Sequence, residues 1–430
     1  MHKALKILSV NTSDTAGGAA RAAYRIHQGV QTLGVDSKMF VKDKRQDDDT
    51  VISLKQFVPT NIFYKVFDWV ALKIKNKIQH YKWGKYPNRS KLYLSDSRGI
   101  NIHNALQKID YNVLHLHWIN KRFIKLSDLA KVDKPIVWTL HDSWPFCGVC
   151  HYFFDCEKYQ TKCTLCPYLN NPSLEKDLST EVWDEKNNIY KNLKLHIVTP
   201  SKWLGDCAKK STLFKKFPVS VIPNCLDTDV FRPLQENEFS PRWAKISENR
   251  LDKTFVLYGA VNAATDKIKG FSNLLSALQI LERHGKADFE LIVFGADKSD
   301  LNIDVNIPIH YVGYVSDTNE LVTLYNLASL MVVPSLTENL SCAIMESLSC
   351  ETPVCAFNIG GNGDMIDHKQ NGYLAKEQDD ADLANAIIWC LENNKDKTLS
   401  KNARQKVLDN YTIDIVAKQY KKLYESLVVR

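Results

Sequence analysis

The chain has 430 residues, 44% of them hydrophobic and 24% charged, with a formal net charge of +7. That length exceeds what one hydrophobic core usually supports and predicts two domains of roughly 200 residues each in an ordinary globular protein. No stretch approaches the ~18 apolar residues of a membrane span and no apolar run follows a basic start, so a cytoplasmic chain is expected, its eleven cysteines reduced.

The modest positive charge admits a nucleotide, a phospholipid surface or nucleic acid as partner and selects none of them. Ala4 to Val10 reads as an apolar strand that runs into a loop carrying Gly17 and Gly18 and then an alanine-rich helix. This is how a doubly wound domain opens. Gly17 and Gly18 lack a Cβ, so a ligand or a facing domain can approach the backbone closely, although a plain tight turn fits the same residues. Arg21, one turn into the helix, can reach an anion in that loop or lie at the surface.

Between Asn61 and Lys91 the character changes: Phe63, Tyr64, Phe67, Trp69, Tyr81, Trp83 and Tyr86 are interleaved with lysines and Arg89, and Asp68 is the one acid. Such a segment fits a helix lying on an anionic membrane, with rings at headgroup level. An insertion whose aromatics pack on the domain, or a nucleic-acid contact, fits as well. Two strand-like runs follow, 112–120 and 135–142, and each ends in polar residues. They place His117 and His141 at the carboxyl edge of the expected sheet, where catalytic groups collect on loops, while His115 lies further upstream and reads as structural.

A cysteine group comes next. Cys150, Cys156, Cys163 and Cys166 form C-x5-C-x6-C-x2-C, with Cys147 and His151 beside them. Four thiolates at this spacing suit a structural tetrahedral zinc, and a reduced cysteine cluster is the alternative because the first spacing is wider than in common zinc knuckles. A closed four-thiolate site has no open coordination position, so no catalysis is expected of it.

Leu195 to Ser201 reads as the last strand of the first half, with Ser201 capping the helix that follows. The second half restarts with a strand at Phe255 to Gly259, a loop carrying Lys267, Lys269 and Gly270, and a helix from Phe271 to Arg283. Strands are expected at 289–294, 310–312 and 330–333. From Val333 to Glu346 the pattern is a buried strand closed by Pro334, a loop, and a helix that begins at Glu338. Glu338 and Glu346 would then face the carboxyl edge, and the amides of Asn339, Leu340 and Ser341 would offer a helix N-terminus to a phosphate or diphosphate. A final amphipathic helix from Thr412 to Leu427 packs across a domain. The predicted organisation is a domain over 1–225, a second over 226–410 and a C-terminal helix over 411–430.

Together, Thr199-Pro-Ser201, Ile222-Pro-Asn224, Lys269-Gly270, Pro334-Ser335, Glu338-x7-Glu346, Thr352-Pro-Val354, Gly360-Gly361 and Asn371-Gly372 resemble glycosyltransferase family 4. Gly17-Gly-Ala-Ala-Arg21, His115-x-His-Trp-Ile-Asn120 and Trp138-Thr-Leu-His-Asp142 are similar to bacterial members that build surface polysaccharides. The resemblance implies an α/β GT-B fold, two facing Rossmann-like domains with a cleft between them, and retention at the anomeric carbon of a nucleotide-sugar donor. It implies that Glu346 binds the ribose, that Lys269 and the amides of Asn339, Leu340 and Ser341 meet the diphosphate, that Glu338 sits near the sugar, and that His141 approaches sugar or acceptor. Gly17 and Gly18 would let their domain close on the diphosphate.

The expected acceptor is a glycan or a lipid-linked sugar, reached at the inner face of the cytoplasmic membrane, with no cofactor required for catalysis and no nucleic acid partner. The sequence departs from the family where Gly259 is followed by Ala260 instead of arginine, for which Lys267 is the expected replacement, and where Cys225 stands in place of glycine. A sugar-nucleotide epimerase or phosphorylase of the same fold, and a non-catalytic nucleic-acid module, are the alternative classes.

Overall fold

The computed structural model describes residues 5–57, 83–87, 95, 97–171, 176–248, 253–259, 266–296 and 304–428. The chain divides into two compact units, Met1–Ile222 with Ala417–Arg430, and Pro223–Val416.

The first unit holds β1 (Lys6–Ser13), β2 (Asp36–Asp43), β3 (Val51–Ser53), β4 (Val113–Leu116), β5 (Ile136–Thr139), β6 (Leu195–Thr199) and β7 (Val219–Val221). They pair in the order β3-β2-β1-β4-β5-β6-β7, every pair parallel. All four residues of β4 and of β5 are buried. This is why these strands read as continuous apolar runs: a parallel sheet is covered on both faces. The covering helices include α1 (Gly18–Thr32), α2 (Leu178–Tyr190) and α3 (Lys202–Lys210). Ser201 does cap α3, its hydroxyl accepting from the Leu204 amide at 3.2 Å. Leu195–Thr199 is not the last strand of the unit, however. Val219–Val221 adds a partly exposed edge strand, too short to leave a periodic signal.

The second unit holds β8 (Phe255–Gly259), β9 (Glu290–Phe294), β10 (Ile309–Gly313), β11 (Leu330–Val333), β12 (Val354–Phe357) and β13 (Gly372–Ala375), in the parallel order β10-β9-β8-β11-β12-β13. Its helices include α4 (Phe271–Arg283), α5 (Thr318–Leu327), α6 (Cys342–Ser349), α7 (Asp380–Glu392) and α8 (Thr398–Asn410). Two apolar clusters form its core, one on each side of the sheet: alternate residues of β8, Phe255 and Leu257 against Val256 and Tyr258, divide between them.

α6 begins at Cys342, four residues later than the sequence pattern suggests. The backbone from 336 to 341 is tied elsewhere: Leu336 N donates to the Ile268 carbonyl (2.8 Å) and the Glu338 carbonyl accepts from Gly361 N (3.3 Å). Groups so engaged cannot join a helical ladder.

The last helix, α9 (Ile413–Val428), contributes Ala417 onward to the first unit. Tyr420 and Tyr424 are each at most 1% exposed there. The Tyr424 hydroxyl bonds His115 Nδ1 at 2.7 Å, and the Tyr420 hydroxyl bonds Thr139 Oγ1 at 2.9 Å. Among the described residues no helix is long and apolar enough to cross a membrane. Most of the basic aromatic segment 61–91, and Ala260, lie outside the described residues.

Candidate active site

Each sheet reverses strand order once, between β1 and β4 in the first unit and between β8 and β11 in the second. Open parallel sheets bind ligands at the carboxyl ends of their strands beside such a reversal. Lys269, Glu338 and Ser341 lie at this place in the second unit, and Gly17, His117 and His141 at the corresponding place in the first.

In the second unit, β11 runs into Pro334 and the loop to Ser341, while β8 leads to the turn Lys267–Lys269. Asp266 fixes that turn by accepting from Ile268 N at 3.1 Å. Gly270 follows in the left-handed region (φ 68°), and a Cβ there would meet the Pro334 carbonyl oxygen at 1.7 Å. Gly360, φ 48°, meets the Glu338 carbonyl oxygen the same way at 1.8 Å. Two glycines thus let three loops pack backbone to backbone, which no other residue permits. The result brings Lys269 Nζ to 2.7 Å from Glu338 Oε1. A small hollow of about 30 Å³ opens beside them, with Tyr258, Gly259, Lys269, Glu338 and Ser341 in its wall. Asn339, Leu340 and Ser341 precede α6, Ser341 being its N-cap, and Lys267 is exposed at the rim of the turn.

Glu346 sits differently. It is 3% exposed, and its Oε2 accepts from the Tyr325 hydroxyl of α5 at 3.1 Å. Arg404 of α8 closes the far end of α6 by donating to the Ser349 carbonyl at 2.6 Å, a cation placed on the negative end of a helix dipole. Neither Tyr325 nor Arg404 stands out in the sequence, because each lies on an ordinary amphipathic helix.

In the first unit, Gly17 is the N-cap of α1 with φ 96°, and nothing lies within 4 Å of where its Cβ would stand. Gly18 is the first helical residue. Arg21 turns its Nε inward, where it has no hydrogen-bond partner among the described residues. Asp14, wholly buried, holds the loop by accepting from Thr15 N, Arg45 N and Gln46 N at 2.7 to 2.8 Å. Across the reversal, His117 N donates to the Val10 carbonyl (2.9 Å) and Trp118 N to Asn11 Oδ1 (2.8 Å), locking the ends of β1 and β4 together.

His117 and His141 do meet: His117 Nδ1 lies 3.1 Å from His141 Nε2. His117 is 2% exposed and His141 half-buried. Burial pushes His141 down to about 4, with the Asp142 charge opposing, so its ring is neutral near pH 7. His115 belongs to the core, bonded at both ring nitrogens by Tyr424 and by Thr139 Oγ1 (2.8 Å). Asp142 accepts from Trp118 Nε1 (2.8 Å) and Trp144 N (2.9 Å) and faces His151 Nδ1 at 2.7 Å. Burial raises its carboxyl pKa, but the His151 charge and these hydrogen bonds outweigh that and hold it below the usual range.

All eleven cysteines are free thiols. Of the four expected metal ligands, Cys150 and Cys163 lie in the main core of the unit, Cys156 packs against it, and Cys166 sits in a separate cluster with Tyr86, Leu169 and Leu178. Among the described residues no three His, Cys, Asp or Glu side chains stand in a metal-holding group. The centre of this region is a residue that sequence reasoning missed. Lys186 of α2 is fully buried and donates to the carbonyls of Trp144 (2.5 Å), Cys147 (2.9 Å) and Gly148 (2.8 Å), with Nζ 3.7 Å from the Trp144 ring centre. The available signal was a lysine inside the apolar stripe of Val182, Trp183, Ile189 and Tyr190.

Residues 16–230 match the Glycosyltransferase Family 4 model and residues 241–406 the model for Glycosyl transferases group 1. The putative colanic acid biosynthesis glycosyl transferase WcaC of Escherichia coli K12 is 23% identical over 390 residues, 87% of this chain and 88% of that one. UDP-Gal:alpha-D-GlcNAc-diphosphoundecaprenol alpha-1,3-galactosyltransferase of Escherichia coli is 23% identical over 218 residues, 49% of this chain and 55% of that one. Among solved structures, sucrose-phosphate synthase from Thermosynechococcus elongatus superposes with a TM-score of 0.63 at 18% identity, covering 99% of both chains, a likeness of fold.

Proposed function

Because the chain belongs to glycosyltransferase family 4, with half its length matched by that family's model, we propose that it moves a sugar from a nucleotide-diphosphate donor to a lipid-linked or glycan acceptor with retention of configuration. It is a glycosyltransferase of surface-polysaccharide or lipid-linked sugar assembly. A diphosphate donor and a lipid-linked acceptor are in keeping with the relatives' names, which include a UDP-sugar and a diphosphoundecaprenol.

The observation that carries this reading is the convergence of Lys269, Glu338 and Ser341 at the carboxyl ends of β8 and β11, beside the N-terminus of α6. Departure of the nucleoside diphosphate leaves negative charge on its β-phosphate. A cation and helix-start amides at that place would stabilise that charge, Lys269 being shared between the phosphate and Glu338. Lys269 would meet the phosphate, with Lys267 as second cation. Glu338 would face the sugar, Glu346 the ribose, and neutral His141 the sugar or acceptor. With no covalent nucleophile assigned among the described residues, the leaving phosphate would accept the acceptor's proton while attack comes from the same face.

Peripheral membrane contact through residues 61–91 rests on their basic aromatic composition alone. A structural zinc on Cys150, Cys156, Cys163 and Cys166 is proposed on their spacing along the chain alone. A thermal-shift screen of nucleotide sugars tests the function, since a ligand that binds only the folded protein raises its Tm. At least one nucleotide sugar should stabilise the chain and the Lys269→Ala variant should turn it over more slowly. Stabilisation by none of them would remove the proposal.

A further inference from the structure

Three histidine rings lie in contact under the carboxyl ends of β4 and β5. The His115 and His117 ring centres are 4.0 Å apart, and those of His117 and His141 5.3 Å apart with planes 25° from parallel. The second pair meets edge to edge through His117 Nδ1 and His141 Nε2, 3.1 Å apart. Near-parallel planes suit a hydrogen bond directed at an in-plane lone pair.

Burial, reinforced by the neighbouring histidines, pushes His117 well below the usual imidazole range, and burial holds His141 down to about 4. Two neutral rings share one proton across this contact. If it belonged to His141 Nε2, the proton of His117 would have to sit on His117 Nε2. That atom is buried and has no hydrogen-bond partner among the described residues. An orphaned buried N–H forfeits its hydration outright and is the rarer defect in folded proteins. With the proton on His117 Nδ1, the nitrogen left alone is a bare ring lone pair.

His115 cannot exchange roles with His117, because Tyr424 and Thr139 hold both of its nitrogens. The His117 carbonyl is also fixed, accepting from Trp138 Nε1 at 3.1 Å.

We infer that His117 is a positioning residue: its Nδ1–H donates to His141 Nε2, which fixes the His141 ring plane and confines the His141 proton to Nδ1. Any hydrogen bond that His141 gives to a hydroxyl or phosphate oxygen then comes from Nδ1, and His141 serves as a donor toward developing charge in place of a base. Only this last consequence rests on the proposed role of His141 in transfer.

The test has two arms on the full chain. In histidine-selectively 15N-labelled protein at pH 7, imidazole correlation spectra should show the Nδ1–H pattern for both His117 and His141, assigned through variants at each position. An Nε2–H pattern at either residue overturns the inference, and needs no variant to fold differently.

In the second arm, UDP release is followed with UDP-galactose and UDP-glucose as donors and water as the acceptor of the sugar. His117→Asn places an amide N–H where Nδ1–H stood and should keep kcat within about threefold. His117→Gln shifts the donor toward the Nε2 position and His117→Phe removes it; both should lose roughly tenfold or more in kcat at unchanged donor KM. Equal losses in all three variants, tracking lost thermal stability, would reduce His117 to a packing residue. Full activity in His141→Ala would instead remove His141 from the proposed site, and the spectra alone then decide the tautomer.

Discussion

Lys269 Nζ stands 2.7 Å from Glu338 Oε1, although 69 residues separate them in the chain. Both side chains are partly buried, 26% and 14% exposed, so the pair is neither a solvated surface contact nor a sealed ion pair. A donor diphosphate would have to share Lys269 with this carboxylate. Glu338→Gln removes the competing charge and should tighten binding of UDP by about fivefold, on the scale of a partly screened ion pair, while transfer slows. Calorimetric titration of UDP measures the first effect, and weaker binding in the variant would contradict it.

Lys269→Ala and Glu346→Ala should part ways. Loss of Lys269 withdraws charge stabilisation that matters most as the diphosphate leaves, so kcat should fall roughly a hundredfold. Glu346→Ala should act chiefly on nucleotide affinity, weakening it about tenfold or more, the scale of a lost charged hydrogen bond. Steady-state kinetics with direct binding separates the two; unchanged turnover and affinity in both variants would sink the assignment.

Lys186 should be worth more to stability than any surface lysine. Burial pushes its ammonium down to about 7, with Cys147 and Cys150 opposing, and three carbonyls depend on it. Lys186→Met leaves those oxygens buried and unpaired, for an expected loss of at least ~3 kcal/mol in urea unfolding. A loss under ~1 kcal/mol would mean that the carbonyls find other partners.

Acid should destabilise the fold earlier than carboxylate titration alone requires. Burial holds His27 at about 4 and His115 at about 3, and each is 1% exposed. Both folded values lie below the ~6.5 of an unfolded chain. The unfolded state therefore takes up protons first as pH falls: stability is full above ~6.5 and is lost progressively down to about 4 for His27 and about 3 for His115. At pH 5 the cost is on the order of 2 kcal/mol for each. Tm should drop clearly between pH 7 and pH 5, and a flat profile would contradict the burial of these rings.

The cysteine loop is decided by metal analysis. A tetrathiolate site on Cys150, Cys156, Cys163 and Cys166 predicts about one zinc per purified chain and a lower Tm after chelation. Zinc far below that ratio, with Tm indifferent to chelator, would leave a reduced thiol cluster organised by Lys186.

The sequence alone determined whatever depends on neighbours along the chain. Buried parallel strands such as Phe255–Gly259 and Leu330–Val333 are runs of apolar residues, Ser201 caps a helix three residues before the amide it holds, and Gly17, Gly270 and Gly360 mark turns that need positive φ. The motif set around Glu338 and Glu346 named the family on the same local grounds.

The remaining relationships join residues far apart in the chain and arise from the folding itself. Lys269 meets Glu338, Tyr325 meets Glu346, and Tyr424 reaches His115 across 309 positions, none of which leaves a periodic trace. The strand-order reversals that place His117 beside Asn11, and β8 beside β11, follow from how the strands pair. Lys186 makes the point most plainly. A lysine on an apolar stripe reads as an anomaly until three carbonyls are folded around it, since a buried charge is stable only where its partners already stand.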